Sequence, residues 1–141
     1  MKVVLDTNIW LSGIFWQGNP YKIIKLGEQR KIEIIISRGI IEEIIEVLNR
    51  DSRFQRFIKN RKVSISDLIK TTLYIATLIE TKTKINVIKE VADDDRILEA
   101  AVDGKADYII SGDRHLLDIR KFNEIKIMKA NEFLESCNIK T

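Results

Sequence analysis

One cysteine, one proline and one histidine occur among the 141 residues. The lone Cys137 excludes an intrachain disulfide and gives no reason to invoke an oxidising compartment. No apolar run approaches the roughly 20 residues of a membrane span, and the first predicted strand begins too early to leave room for a signal peptide. A protein without membrane association, cytoplasmic in location, is therefore expected. An excess of either charge is also small: a net +3 and a pI near 9.0 favour contact with polyanions only weakly, so local charge placement matters more than the total. What is present is globular composition, 45% apolar and 32% charged, in a length that suits a single domain over residues 1–141.

The most informative stretch is Val3-Val4-Leu5-Asp6-Thr7-Asn8. A short apolar run broken off by an acid and two small polar residues reads as a buried parallel strand whose carboxyl end opens into a site. In open α/β sheets ligands bind outside the carboxyl ends of the strands, which makes Asp6 a site candidate. The plainer reading is that Asp6-Thr7-Asn8 turns the chain and caps the next helix.

A short helix is expected from Ile9 to Phe15, with Trp10, Phe15 and Trp16 as core or oligomer contacts more than base-stacking platforms. Gly18-Asn19-Pro20 punctuates the chain, and Pro20 opens an amphipathic helix toward Arg30. Ile32 to Ile36 is a second β-branched strand, and Ser37 caps a helix from near Arg38. On that helix Ile40, Ile41, Ile44, Ile45, Val47 and Leu48 form one apolar arc. Glu43 falls just outside its edge, while Glu42 and Glu46 lie toward water. Glu43 is thus the acid on this helix best able to border a cleft, set against the reading of all three as surface glutamates.

Farther on, Arg50, Arg53 and Arg56 follow a spacing of three, which predicts one basic helical side able to contact phosphates, with a solvated face as the alternative. Ser64-Ile65-Ser66-Asp67 supplies capping chemistry for what should be the longest helix, through Ile79 and ending near Lys82. A third strand is expected over Lys84 to Ile88.

Asp93-Asp94-Asp95 precedes an apolar helical pattern ended by Gly104, and one acid would have sufficed as a cap. By helix phase Asp94 lies mid-face and Asp95 along the edge of the apolar side, so both stand as site residues. The similar placement of Glu43 inclines the choice to Asp95. A fourth strand, Asp107 to Ile110, is broken off by Ser111-Gly112-Asp113 much as the first was by Asp6-Thr7-Asn8. A fifth, Glu124 to Met128, precedes a last helix capped by Asn131.

Acids are thus delivered to one sheet edge from two strand ends and one helix start, with Glu43 nearby. Gathered carboxylates repel and are driven toward protonation unless a cation compensates them. Hard oxygen donors favour Mg²⁺ or Mn²⁺, which suit phosphodiester hydrolysis by activating water. A haloacid-dehalogenase-type phosphatase needs an aspartate where Asn8 stands, and a receiver-like domain needs acids that Thr7 and Ser37 do not supply.

With VVLDTN at Val3–Asn8, Ser37 followed by Glu43, DDDRILEAA at Asp93–Ala101 and ADYIISGDRHLL at Ala106–Leu117, the chain resembles the PIN-domain ribonucleases, in particular the VapC-type toxin branch. The resemblance implies a three-layer α/β/α fold around a mostly parallel sheet of four to five strands. It implies a tetrad of Asp6, Glu43, Asp95 and Asp113 that binds Mg²⁺ or Mn²⁺ and cleaves RNA, with Asn8 in support and Asp94 beside the third acid. It implies an antitoxin protein and a homodimer as partners, and gives His115 no ligand role, so His115 reads as a surface or substrate-side residue. The alternative is a PIN-like module that binds RNA or protein without cutting.

Overall fold

The computed structural model describes residues 1–85 and 92–136, with the side chains of residues 92–94 outside the description. Three apolar strands make its centre: β1 (Lys2–Leu5), β2 (Glu33–Ser37) and β4 (Tyr108–Ile110). Val3, Val4, Leu5, Ile34, Ile35, Ile36, Ile109 and Ile110 are all buried, the near-continuous burial of a parallel sheet covered on both faces. Successive side chains on β2 show what covers them. Ile34 packs at the bare Cα of Gly27 in helix α2 (Asn19–Glu28), and its neighbour Ile35 packs at Gly104, just past helix α6 (Ala92–Asp103). Because consecutive strand residues face opposite ways, α2 and the end of α6 lie on opposite faces, giving three layers.

The sheet has six strands in the order β3-β2-β1-β4-β6-β5, where β3 is Thr77–Ile79, β5 is Lys121–Phe122 and β6 is Ile125–Met128. All pairs are parallel except β5 with β6. From β1 the chain builds outward through β2 and β3, then returns to lay β4 on the other flank. The carboxyl ends of β1 and β4 therefore border a topological switch point, where such sheets bind ligands. The remaining helices are α1 (Thr7–Phe15), α3 (Arg38–Arg50), α4 (Ser52–Arg61), α5 (Ile65–Ile75), α7 (Arg114–Ile119) and α8 (Ala130–Ser136). None is long and apolar enough to cross a membrane among the described residues.

Two expectations need correction, and a third falls mostly outside the described residues. The helix capped by Ser64 stops at Ile75, and α3 is longer; Ala76 turns extended, and Thr77–Ile79 pairs with β2, Leu78 lying opposite Ile36. The unpaired ladder of β2 captures a segment whose apolar spacing also fits a helix. Of the strand expected over Lys84–Ile88, Lys84 and Ile85 are irregular and the rest lies outside the described residues. Finally, Arg50, Arg53 and Arg56 do not share a helix. Arg50 ends α3, and Asp51 starts α4 by accepting from the Arg53 amide at 2.9 Å.

A sixth strand also exceeds the expected four to five. Phe122 pairs with Ile125 across Asn123 and Glu124, both at positive φ (47° and 69°), the geometry of a two-residue hairpin.

Candidate active site

Asp6 stands one residue past β1, its amide bonded to Ile110 O of β4 at 3.1 Å. The residue is only 5% exposed. Oδ1 accepts from the Ile9 amide at 2.8 Å, capping α1, and Oδ2 accepts from the Ser111 hydroxyl. Asp6 is therefore a helix cap, as the plainer reading had it, and at the same time a buried acid at the switch point. Burial pushes its carboxyl pKa up, against the Ser111 and Ile9 hydrogen bonds, and the like charge of Asp113 pushes the same way.

Ser111 ties the two strand ends together. Fully buried, its hydroxyl donates to Asp6 and accepts from the Asp113 amide at 2.9 Å. Asp113, half-buried, caps α7 through Oδ1 on the His115 amide at 2.7 Å. A cap needs one oxygen, so the second carboxylate oxygen is left for other work. His115 itself is exposed, as expected for a surface residue.

Glu43 reaches the same place from α3. It is half-buried while Glu42 and Glu46 are exposed, as the helix phase predicts, and those two pair with Arg38 and Arg50 on their own helix. Its Oε2 accepts from the Thr7 hydroxyl at 2.8 Å, and buried Thr7 directly follows Asp6. Thr7 and Ser111 are the site residues the sequence reading passed over, taken only as small polar residues at strand ends. Their signal was position: each touches the end of one of two adjacent parallel strands.

Asp95, 7% exposed, lies in the first turns of α6, the helix packed on β1, β2, β4 and α3. Gly39 permits that approach, since a Cβ there would stand 3.1 Å from Cδ of Arg96. Asp94 falls outside the described side chains. Asn8 is exposed on the first turn of α1.

Hydrogen bonds through Thr7 and Ser111 thus join three acids, and the fourth comes from a helix packed against the same strands. Among the described residues no three carboxylate, imidazole or thiol groups are drawn tightly enough together to hold a metal ion as they stand. The donors are nonetheless the hard oxygens that Mg²⁺ or Mn²⁺ takes, and such ions keep several waters between themselves and the protein. A buried carboxylate whose charged neighbour is another carboxylate fits a site completed by a cation.

Residues 2–115 match the family profile described as PIN domain. The chain belongs to the PIN-domain family. That match spans the four candidate acids, Asp6, Glu43, Asp95 and Asp113, and ends just after the last of them. In fold it is similar to a chain of VapBC2 from Rickettsia felis, in a crystal structure bound to a DNA fragment from their promoter. The TM-score is 0.61 at 15% identity, over 90% of this chain and 97% of that one. No curated protein matches it significantly in sequence.

Proposed function

We propose that this PIN domain is a metal-dependent endoribonuclease, the cytoplasmic toxin of a toxin–antitoxin pair, with Asp6, Glu43, Asp95 and Asp113 holding Mg²⁺ or Mn²⁺. The observation that carries it is the buried carboxylate of Asp6, bridged by Ser111 to Asp113 at the switch point, with Thr7 bringing in Glu43. When bound, the metal supplies a water of lowered pKa at neutral pH and compensates charge on the phosphate. The chain does the rest. Ser111 orients the Asp6 carboxylate and Thr7 that of Glu43, and Ser111 also holds the Asp113 backbone, so that little reorganisation is needed when substrate arrives. The helix caps made by Asp6 and Asp113 anchor both acids to rigid elements rather than to loops.

An antitoxin protein as partner and a homodimer as the working state belong to the same reading, which the PIN-domain family match supports. Metal-stripped protein should leave RNA intact, and added Mg²⁺ or Mn²⁺ should start cleavage. Asp95→Asn should weaken Mn²⁺ binding in a titration made without RNA. Cleavage undiminished by chelation would refute the mechanism. RNA binding without cleavage under either ion would make the protein a binding module instead.

A further inference from the structure

Away from the acids, one surface combines aromatic faces with cations. Phe54 and Phe57 of α4 pack on Phe15, with ring centroids 4.8 and 5.6 Å away, and on Trp16, at 5.7 and 5.8 Å. Phe15 and Phe54 are buried, but Trp16 remains 42% exposed. It lines a groove of about 290 Å³ with Arg53, Arg56, Phe57 and Asn60, at the small end of ligand cavities. Arg53 is engaged by Asp51 at 3.0 Å. Arg56 and Lys59 are exposed and have no ion pair among the described residues. From Ser52 to Lys62 the chain has five cations and no acid.

We propose that this groove is a subsite for one unpaired nucleotide of the RNA, its base stacked on Trp16 and its phosphate held by Arg56. The inference rests on the ribonuclease reading and adds to it a site that selects unpaired segments. A base within a duplex is already stacked and cannot present its face to an indole, whereas a splayed one can. Asn60 offers an amide to the base edge. The position is also apt. Asp6 caps the start of α1 and Trp16 its end, so about 15 Å of helix separates the acid cluster from the groove. An acidic peptide would satisfy Arg56 equally but would leave the exposed indole face without a use.

Intrinsic fluorescence reads this directly, because the protein has two tryptophans and Trp10 is fully buried. In chelator, so that nothing is cut, the protein is titrated with a mixed-sequence single-stranded oligoribonucleotide, its blunt duplex, an abasic strand of equal length and polyglutamate. Saturable quenching by the single strand alone is expected. Trp16→Leu should abolish the quench and weaken single-strand binding about tenfold or more, while Trp16→Phe keeps most of the affinity. Arg56→Gln should lower the salt slope of binding by about 0.7. Equal quenching by the abasic strand or polyglutamate overturns the proposal, as does wild-type affinity in a folded Trp16→Leu variant. Metal-activated cleavage without a Trp16 quench overturns the subsite alone. A single-strand-specific quench without cleavage under either metal sustains the subsite and overturns the nuclease.

Discussion

Replacing Ser111 by alanine isolates the link between the two strand ends without opening a cavity, since only a hydroxyl is lost. Two partners lose it together: Oδ2 of Asp6, deeply buried, and the amide of Asp113, which is half-buried and can turn to water. The cost therefore falls mainly on Asp6. A hydrogen bond to an ionised group contributes about 1.5–3 kcal/mol, and a neutral one about 1 kcal/mol. With Asp6 ionised the expected loss is about 2 kcal/mol, and unfolding entropy for this length, about 0.3 kcal/mol/K, converts that to a Tm lower by about 7 °C. The gap must depend on pH, because the raised Asp6 pKa keeps the carboxyl protonated over a wider range, where the bond is of the weaker neutral kind. Thermal unfolding of both proteins in metal-free buffer, followed by circular dichroism across pH, should show a difference that widens as pH rises. A Tm within about 1 °C of wild type at every pH would refute the reasoning, and would return Ser111 to an ordinary turn residue.

Asp6→Asn tests the same charge from the other side. The raised folded-state pKa means that the stabilisation from Asp6 is fully present below its unfolded value and is lost as pH rises through the folded one. The variant, whose amide can still face the Ser111 hydroxyl, should gain Tm over wild type as pH increases and should lose cleavage; a constant Tm difference across pH would contradict this. Gly104→Ala places a Cβ 2.6 Å from Ile35 Cγ2 and 2.8 Å from the Ala100 carbonyl, so α6 must shift off β2. A loss of about 1–3 kcal/mol in denaturant unfolding is expected, and an unchanged midpoint would show that the helix end yields freely.

The parts of the fold legible in the sequence were those where burial writes a pattern. Val3–Leu5, Ile32–Ile36 and Tyr108–Ile110 declare themselves because a strand covered on both faces admits little but apolar residues. Glu43 declared itself by its phase beside a clear apolar arc. Other features depend on contacts that leave no local mark. Thr77–Ile79 is a strand only because β2 offers an open ladder, and the same residues extend a helical stripe equally well. The break at Asp51 carries neither glycine nor proline. It is made by a side-chain cap and by Phe54 docking against Phe15 some forty residues earlier in the chain, and periodicity counted straight through it joined Arg50 to a helix that does not contain it.

The two readings of Asp6, helix cap and proposed metal ligand, explain why the candidate site could be located before its chemistry could be weighed. A cap and a metal ligand both ask for a short acid at a strand-to-helix junction, and the sequence cannot separate them. Burial separates them. An exposed cap is satisfied by one helix amide and water, but Asp6 is withdrawn from water and given a second donor from a strand one hundred residues away. Capping alone does not require that withdrawal, which raises the carboxyl pKa, nor the placing of Asp113 beside it with like charge. In the proposed reading both become useful, because a carboxylate withdrawn from water, with a second one beside it, attracts a cation more strongly than a solvated one. In that reading Ser111 and Thr7 hold the acids in place against their own repulsion until the ion arrives.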